Sequence, residues 1–371
     1  MRVLKIIGNI IKWIIIILLT LFSFATFFGN NYGQTIVLIL IASALAYWPN
    51  YVRKKWNETT SFLIRTVFIA ILIALNTAVF KSASKSIYTS EENKQQLMEL
   101  YDIKQSFWPQ GTREIYIDTK YGRVHLLTCG AQDHPPLVML HAASMGAHSW
   151  AENLNFLLNN YCIYAIDNIG EGNKSQLYDA LTFPQTEKEI ADLYASLLDS
   201  LSIERAPVFG ASNGGYIAQV LAYYYPEKVE SLVLFAPMGL TQLTNGSVFM
   251  MAVATMYPLQ SIRGRVTKWA IGEDQYCNDK YGDWFNAIMK GTIPSIGKPI
   301  PMTIEQKRDM KMPVLLFIGT KDKIVGDADH AKSTAKEYPN IQIEVLESGH
   351  LIAIEHRDYV NQKVKSFLNR R

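Results

Sequence analysis

The sequence predicts an α/β protein: a mostly parallel sheet flanked by helices, carrying a helical cap insertion and preceded by transmembrane helices. Three observations support this reading. From about residue 114 onward, short apolar runs alternate with segments of helical spacing, which is the pattern of strands joined by crossover helices. The alternation breaks once, between Pro237 and Met312, where no strand is evident. Apolar residues also crowd into the first 80 of the 371 positions. A formal charge of +3, with no Lys/Arg block interleaved with aromatics, argues against a nucleic-acid binder. Cys129, Cys162 and Cys277 are odd in number and far apart. They give neither a disulfide framework nor a metal-ligand spacing, and read as buried apolar thiols.

The apolar N-terminal region holds three runs, 13–28, 35–48 and 61–80. A span needs about 20 apolar residues, so the first and third fit and the second is short. No small-x-small cleavage site follows the first run, so retained helices are expected rather than a leader peptide. Arg2, Lys5 and Lys12 precede the first run, and Arg53, Lys54 and Lys55 follow the second; the loop 29–34 carries no charge. The positive-inside rule then predicts a multi-pass protein of the cell membrane with the domain that follows on the extracytoplasmic side. The expected organisation is a membrane module over 1–80, a polar linker or short surface helix over 81–106, and a soluble domain over 107–371.

In that domain, 114–118 and 123–128 alternate around Lys120-Tyr121-Gly122 and predict a hairpin. Residues 137–140, 162–166, 206–209, 231–235, 314–318 and 341–346 read as strands. Helices are expected at 149–158, 187–201, 214–225, 328–337 and 357–368. The insertion at about 238–312, with helical spacing over 248–257, 262–271 and 284–289, reads as a cap. Its Met, Trp and Tyr content suits the roof of an apolar pocket.

The chemistry centres on Gly210-Ala211-Ser212-Asn213-Gly214, between an apolar strand and a helix. A sharp turn there presents one serine above the sheet edge, with glycines where strand and helix crowd together. Ser212 also stands at a helix N-terminus, which favours developing negative charge. A nucleophilic serine needs a base and a group to orient it. His350 follows the last strand and Asp322 follows the strand at 314–318, so all three lie at the C-terminal edge of one parallel sheet, where α/β folds bind ligands. Asp327 and Asp329 suit a helix cap better than an acid role. His356 is expected at the surface, Asp167 orders its own loop, and His141 and His148 organise the loop after 137–140. The backbone N–H groups of Asn213 and Ala143 are the expected oxyanion donors.

These features, with Trp108-Pro109, Tyr121-Gly122-Arg123, Pro135-Pro136-Leu137-Val138, Ser149-Trp150 and Tyr164-Ala165-Ile166-Asp167, resemble the α/β-hydrolase superfamily over roughly 107–371. Within it they look most like bacterial carboxylesterases of the naproxen-esterase kind. The resemblance implies Ser212 as nucleophile, His350 as base, Asp322 as acid, Ala143 and Asn213 as the oxyanion hole, and no metal or organic cofactor. Ala142 stands where the family mostly has Gly, and Asn213 where Met, Leu or Gln is commoner. The expected activity is hydrolysis of a small-molecule or lipid-like ester. Amide, thioester, acyl-transfer or carbon–carbon chemistry, or a ligand-binding sensor coupled to the membrane helices, are the alternatives.

Overall fold

A computed structural model describes residues 86–179, 182–241, 246, 269, 272, 274–292 and 299–369. Its strands are β1 (Arg113–Asp118), β2 (Gly122–Cys129), β3 (Pro136–Leu140), β4 (Cys162–Ile166), β5 (Gln176–Leu177), β6 (Ala206–Ala211), β7 (Val229–Phe235), β8 (Val314–Gly319) and β9 (Ile341–Leu346). They form one sheet in the order β1-β2-β4-β3-β6-β7-β8-β9, with β5 paired to β2. The hairpin β1-β2 and the β2-β4 pair are antiparallel; from β4 through to β9 every pairing is parallel. The chain makes each parallel strand apolar on both faces because helices cover both sides of the sheet. Thus Val208, Phe209, Leu232, Val233, Leu315 and Leu316 are all buried. At the edge, β9 alternates instead, and its Glu344 is met by Lys363 and Tyr359.

The helices are α1 (Glu91–Gln105), α2 (Glu187–Ser200), α3 (Asn213–Tyr224), α4 (Gln275–Gly291), α5 (Ile304–Asp309), α6 (Ala328–Ala335), α7 (Ile352–Glu355) and α8 (Arg357–Leu368). Thr186 and Glu189 start α2 with a capping box, each satisfying a backbone N–H of the other's end of the turn. From Asn213 to Ala222, α3 is buried all round, as befits a helix wedged between the sheet and α2. The segment expected as a helix over 149–158 is a 3-10 helix, Ala147–Asn153. Its last residue sends its amide to Ala353 O (3.0 Å) and Asn361 Oδ1 (2.9 Å), which fixes the segment against the C-terminal helices.

The polar stretch over 81–106 contains α1, which packs rather than hangs free. Leu97 and Tyr101 are fully buried, and Lys104 Nζ reaches Lys280 O (2.6 Å) and Asp283 Oδ2 (2.9 Å) on α4. Together α1 and α4 enclose a second apolar cluster that takes in Ala142, Met145, Trp284, Leu351 and Ile354. Helix α4, within the insertion, thus packs on loops at the C-terminal edge of the sheet. The helix expected at 248–257 lies outside the described residues, as does all of that expected at 262–271 except Trp269.

The expectation of a multi-pass membrane protein is corrected. Among the described residues no helix is long and apolar enough to cross a membrane, and the runs 13–28, 35–48 and 61–80 lie outside the described residues. Cys129, Cys162 and Cys277 are free and buried.

Candidate active site

β6 ends at Ala211 and α3 begins at Asn213, leaving Ser212 alone at the corner. Its backbone sits at φ 49°, ψ −112°, a conformation that costs a non-glycine residue about 1–3 kcal/mol. Three backbone hydrogen bonds hold it there: Ser212 N–H donates to Phe235 O (3.0 Å), and Ser212 O accepts from Tyr216 N–H (3.1 Å) and Met238 N–H (2.9 Å). The glycines are dictated by crowding. A Cβ on Gly210 would stand 2.5 Å from Gly214 O, and one on Gly214 would stand 2.1 Å from Leu140 O.

Two strands further along, Asp322 and His350 meet across the ends of β8 and β9. His350 Nδ1 lies 2.7 Å from Asp322 Oδ2, with the two side chains 7% and 0% exposed. A carboxylate only accepts, so Nδ1 carries the proton and Nε2 is left as the basic nitrogen. Burial alone would raise the Asp322 pKa. The charge and hydrogen bond of His350, with the N–H groups of Ile324 and Val325, outweigh it and hold the carboxyl below its usual value. The His350 loop is itself anchored, since Glu355 Oε2 accepts from Ser348 Oγ–H and Gly349 N–H, both at 2.8 Å. Ser212 and His350 line one open cleft, walled by Met145, Trp150, Phe235 and Ile354.

The loop after β3 carries Ala142 and Met145 into the wall of this cleft, with Ala143 between them in the chain. Gly214 N–H donates to His141 O (3.1 Å), which ties the loop to the start of α3. The His141 ring bridges outward: Nδ1–H donates to Ala142 O (2.8 Å), and Nε2 accepts from Asn168 N–H (2.8 Å). Burial lowers its pKa, so it stays a neutral brace. The Ser144 backbone is left-handed at φ 62°, and Trp284 Nε1–H of α4 donates to Ser144 O (2.9 Å). Asn213 is the first residue of α3, so its backbone N–H has no partner inside the helix.

The remaining sequence candidates fall away from the cleft. Asp167 takes His125 Nδ1 at 2.7 Å and the Ala147 N–H at 2.6 Å. His148 is buried between the rings of Tyr101 and Trp284, and desolvation pushes its pKa down to about 3. Asp327 caps α6 through His330 N–H, and His356 meets Glu347 O. Among the described residues no group of His, Cys, Asp and Glu could hold a metal ion. Glu171 is the residue the sequence reading missed. It is fully buried and accepts from Ser144 N–H (2.5 Å) and from Asn213 Nδ2–H (3.3 Å). The available signal was an acidic side chain in Gly170-Glu171-Gly172, soon after a buried strand at the C-terminal sheet edge.

The family model for the α/β-hydrolase fold matches residues 135–275. The uncharacterized carboxylesterase nap of Bacillus subtilis is 28% identical over 301 residues, which is 77% of this chain and 96% of that protein. Carboxylesterase YbfK of Bacillus subtilis is 26% identical, over 76% of this chain and 96% of that protein. The crystal structure of Bacillus subtilis naproxen esterase aligns with a TM-score of 0.68 at 26% identity, covering 74% of this chain and 98% of that one. These likenesses lend no support to a multi-pass membrane localisation. The chain has the α/β-hydrolase fold, and its sequence is similar to those of the Bacillus carboxylesterases.

Proposed function

We propose that the protein is a carboxylesterase-like serine hydrolase in which Ser212, His350 and Asp322 act as the triad on a small-molecule ester. Ser212 Oγ attacks the acyl carbonyl while His350 Nε2 takes its proton, and Asp322 holds the ring and stabilises the cation that forms. The backbone N–H groups of Ala143 and Asn213 receive the tetrahedral oxyanion; in related chemistry one such donor is worth about 3–4 kcal/mol. His350 then protonates the leaving alcohol. Water, deprotonated by the same nitrogen, releases the acid from acyl-Ser212. The carrying observation is the buried His350–Asp322 pair at 2.7 Å, opening on the cleft that a strained serine shares. Kinship to proteins named as carboxylesterases supports the ester bond as the target.

The test is fluorophosphonate labelling of the full chain together with p-nitrophenyl butyrate turnover. Labelling and turnover are expected in the wild type, with both lost in Ser212→Ala and strongly reduced in His350→Ala. Folded wild-type protein that neither labels nor turns over ester would overturn the reading.

A further inference from the structure

We infer that Glu171 is the positioning residue of the oxyanion hole, one carboxylate holding the loop that carries Ala143 at a fixed distance from the residue that follows the nucleophile. The inference rests on the triad reading above. One oxygen, Oε2, accepts from the backbone N–H of Ser144 at 2.5 Å, next to the Ala143 donor. The other, Oε1, accepts from the side chain of Asn213 at 3.3 Å, the residue whose backbone N–H is the second donor. A two-donor hole works only when both N–H groups stand about 2.7–3.1 Å from the developing charge. A rigid planar group joining the neighbours of both donors sets that spacing directly.

The chemistry calls for an ionised carboxylate. Both partners are N–H donors, and an ionised carboxylate offers only acceptors. An amide sets its N–H₂ against one of the two donors and breaks that arm of the bridge, and a protonated carboxyl weakens one arm by replacing a charged acceptor with a hydroxyl oxygen. The loop is built to admit the side chain. Gly170 takes a left-handed φ of 85°, and a Cβ on Gly172 would stand 2.6 Å from Thr292 Cγ2, so the two flanking glycines let Glu171 tuck beneath α4. Burial, with a contribution from Asp167, pushes the Glu171 pKa up to about 8 against the pull of Ser144, Asn213 and Asn168. The other titratable groups facing it do not compete in that range. Asp167, on the same loop, is held below its usual value by His125 despite its burial. Tyr194, on α2, is raised well above its usual value by burial, and His141, after β3, is lowered by burial. Activity under saturating substrate is therefore expected to rise with pH through an ionisation near 8 that belongs to Glu171.

The experiment uses the full-length protein and p-nitrophenyl butyrate, with fluorophosphonate labelling as the check on the parent reading. Glu171→Gln is nearly isosteric and is expected to lower kcat roughly 10- to 100-fold with little change in KM, since it disturbs transition-state contacts alone. It is also expected to remove the ionisation near 8 from the kcat–pH profile. A structural brace with no bearing on the hole would leave that profile in place. The double variant Glu171→Gln with Asn213→Asp rebuilds the bridge with reversed polarity: the introduced amide accepts from Ser144 and donates to the introduced carboxylate. Its kcat is expected to exceed that of Asn213→Asp alone by roughly 5-fold or more, a coupling that loss of folding cannot imitate. Wild-type protein that labels and turns over, with kcat and pH profile unchanged in Glu171→Gln, overturns this proposal alone. Absence of rescue in the double variant does the same. Wild-type protein that does not label overturns the hydrolase reading and this proposal with it.

Discussion

At the scale of single residues, the site separates into groups with a local signature and groups without one. Ser212, Asp322 and His350 each follow a strand in a short recognisable motif, so chain position alone places them at one sheet edge. Asp322→Asn tests the orienting role: the ring would meet a donor as readily as an acceptor, and kcat is expected to fall roughly 10⁴-fold, as in triads where the wrong tautomer results. Glu171 was not legible because its partners stand 27 and 42 residues away, and only the folded sheet brings them together. Its burial has a second consequence, for stability. Unfolded, it ionises near the ordinary glutamate value of about 4.3; folded, near 8. Between those values the folded state holds the proton more tightly, so its contribution to stability declines as pH rises. Asp167 and Asp322, held below their usual values, act oppositely: their contributions are present at neutral pH and are lost as pH falls below about 4. Calorimetric melts of Glu171→Gln are therefore expected to show a flatter Tm between about pH 5 and pH 8 than wild type. A steeper dependence in the variant would show that the carboxyl is not the group responsible.

At the scale of elements, the strands were the most legible feature because burial on both faces leaves continuous apolar runs, and β9 matches its expected limits residue for residue. The turn between β6 and α3 was legible for a different reason. Its glycines record backbone contacts that no side chain could survive, as with Gly214 against Leu140 O. The strain expected of such a turn falls on Ser212, whose positive φ is imposed by the three bonds to Phe235, Tyr216 and Met238. Replacing it by the one residue that adopts such a backbone freely relieves the strain while removing the nucleophile. Ser212→Gly is thus expected to gain about 1 kcal/mol, or roughly 2 °C in Tm, as it abolishes ester turnover. Ser212→Ala, which keeps the Cβ, provides the comparison: equal Tm values for the two variants would show that the corner is not strained.

At the scale of the molecule, the least legible part was the role of the segment before the hairpin. The buried stripe of α1 is narrow, essentially Leu97, Tyr101 and Lys104, in an otherwise polar helix. Composition therefore pointed to a linker, and the helix is understood only through what it covers. It lies on α4, α4 holds Ser144 O through Trp284, and Ser144 is one of the two groups bridged by Glu171. Helix α1 is in this way two contacts from the loop after β3, through a cluster that includes Ala142 and Met145. Leu97→Ala leaves a cavity beneath a fully buried side chain and is expected to cost about 2–5 kcal/mol of stability in denaturant melts. If α1 supports the site through α4, the same variant loses kcat at temperatures where it remains folded. A control of similar cost far from α4, such as Val364→Ala on α8, keeps its kcat under the same conditions. Equal kcat in the two variants would confine α1 to a purely structural role and leave the site resting on the sheet alone.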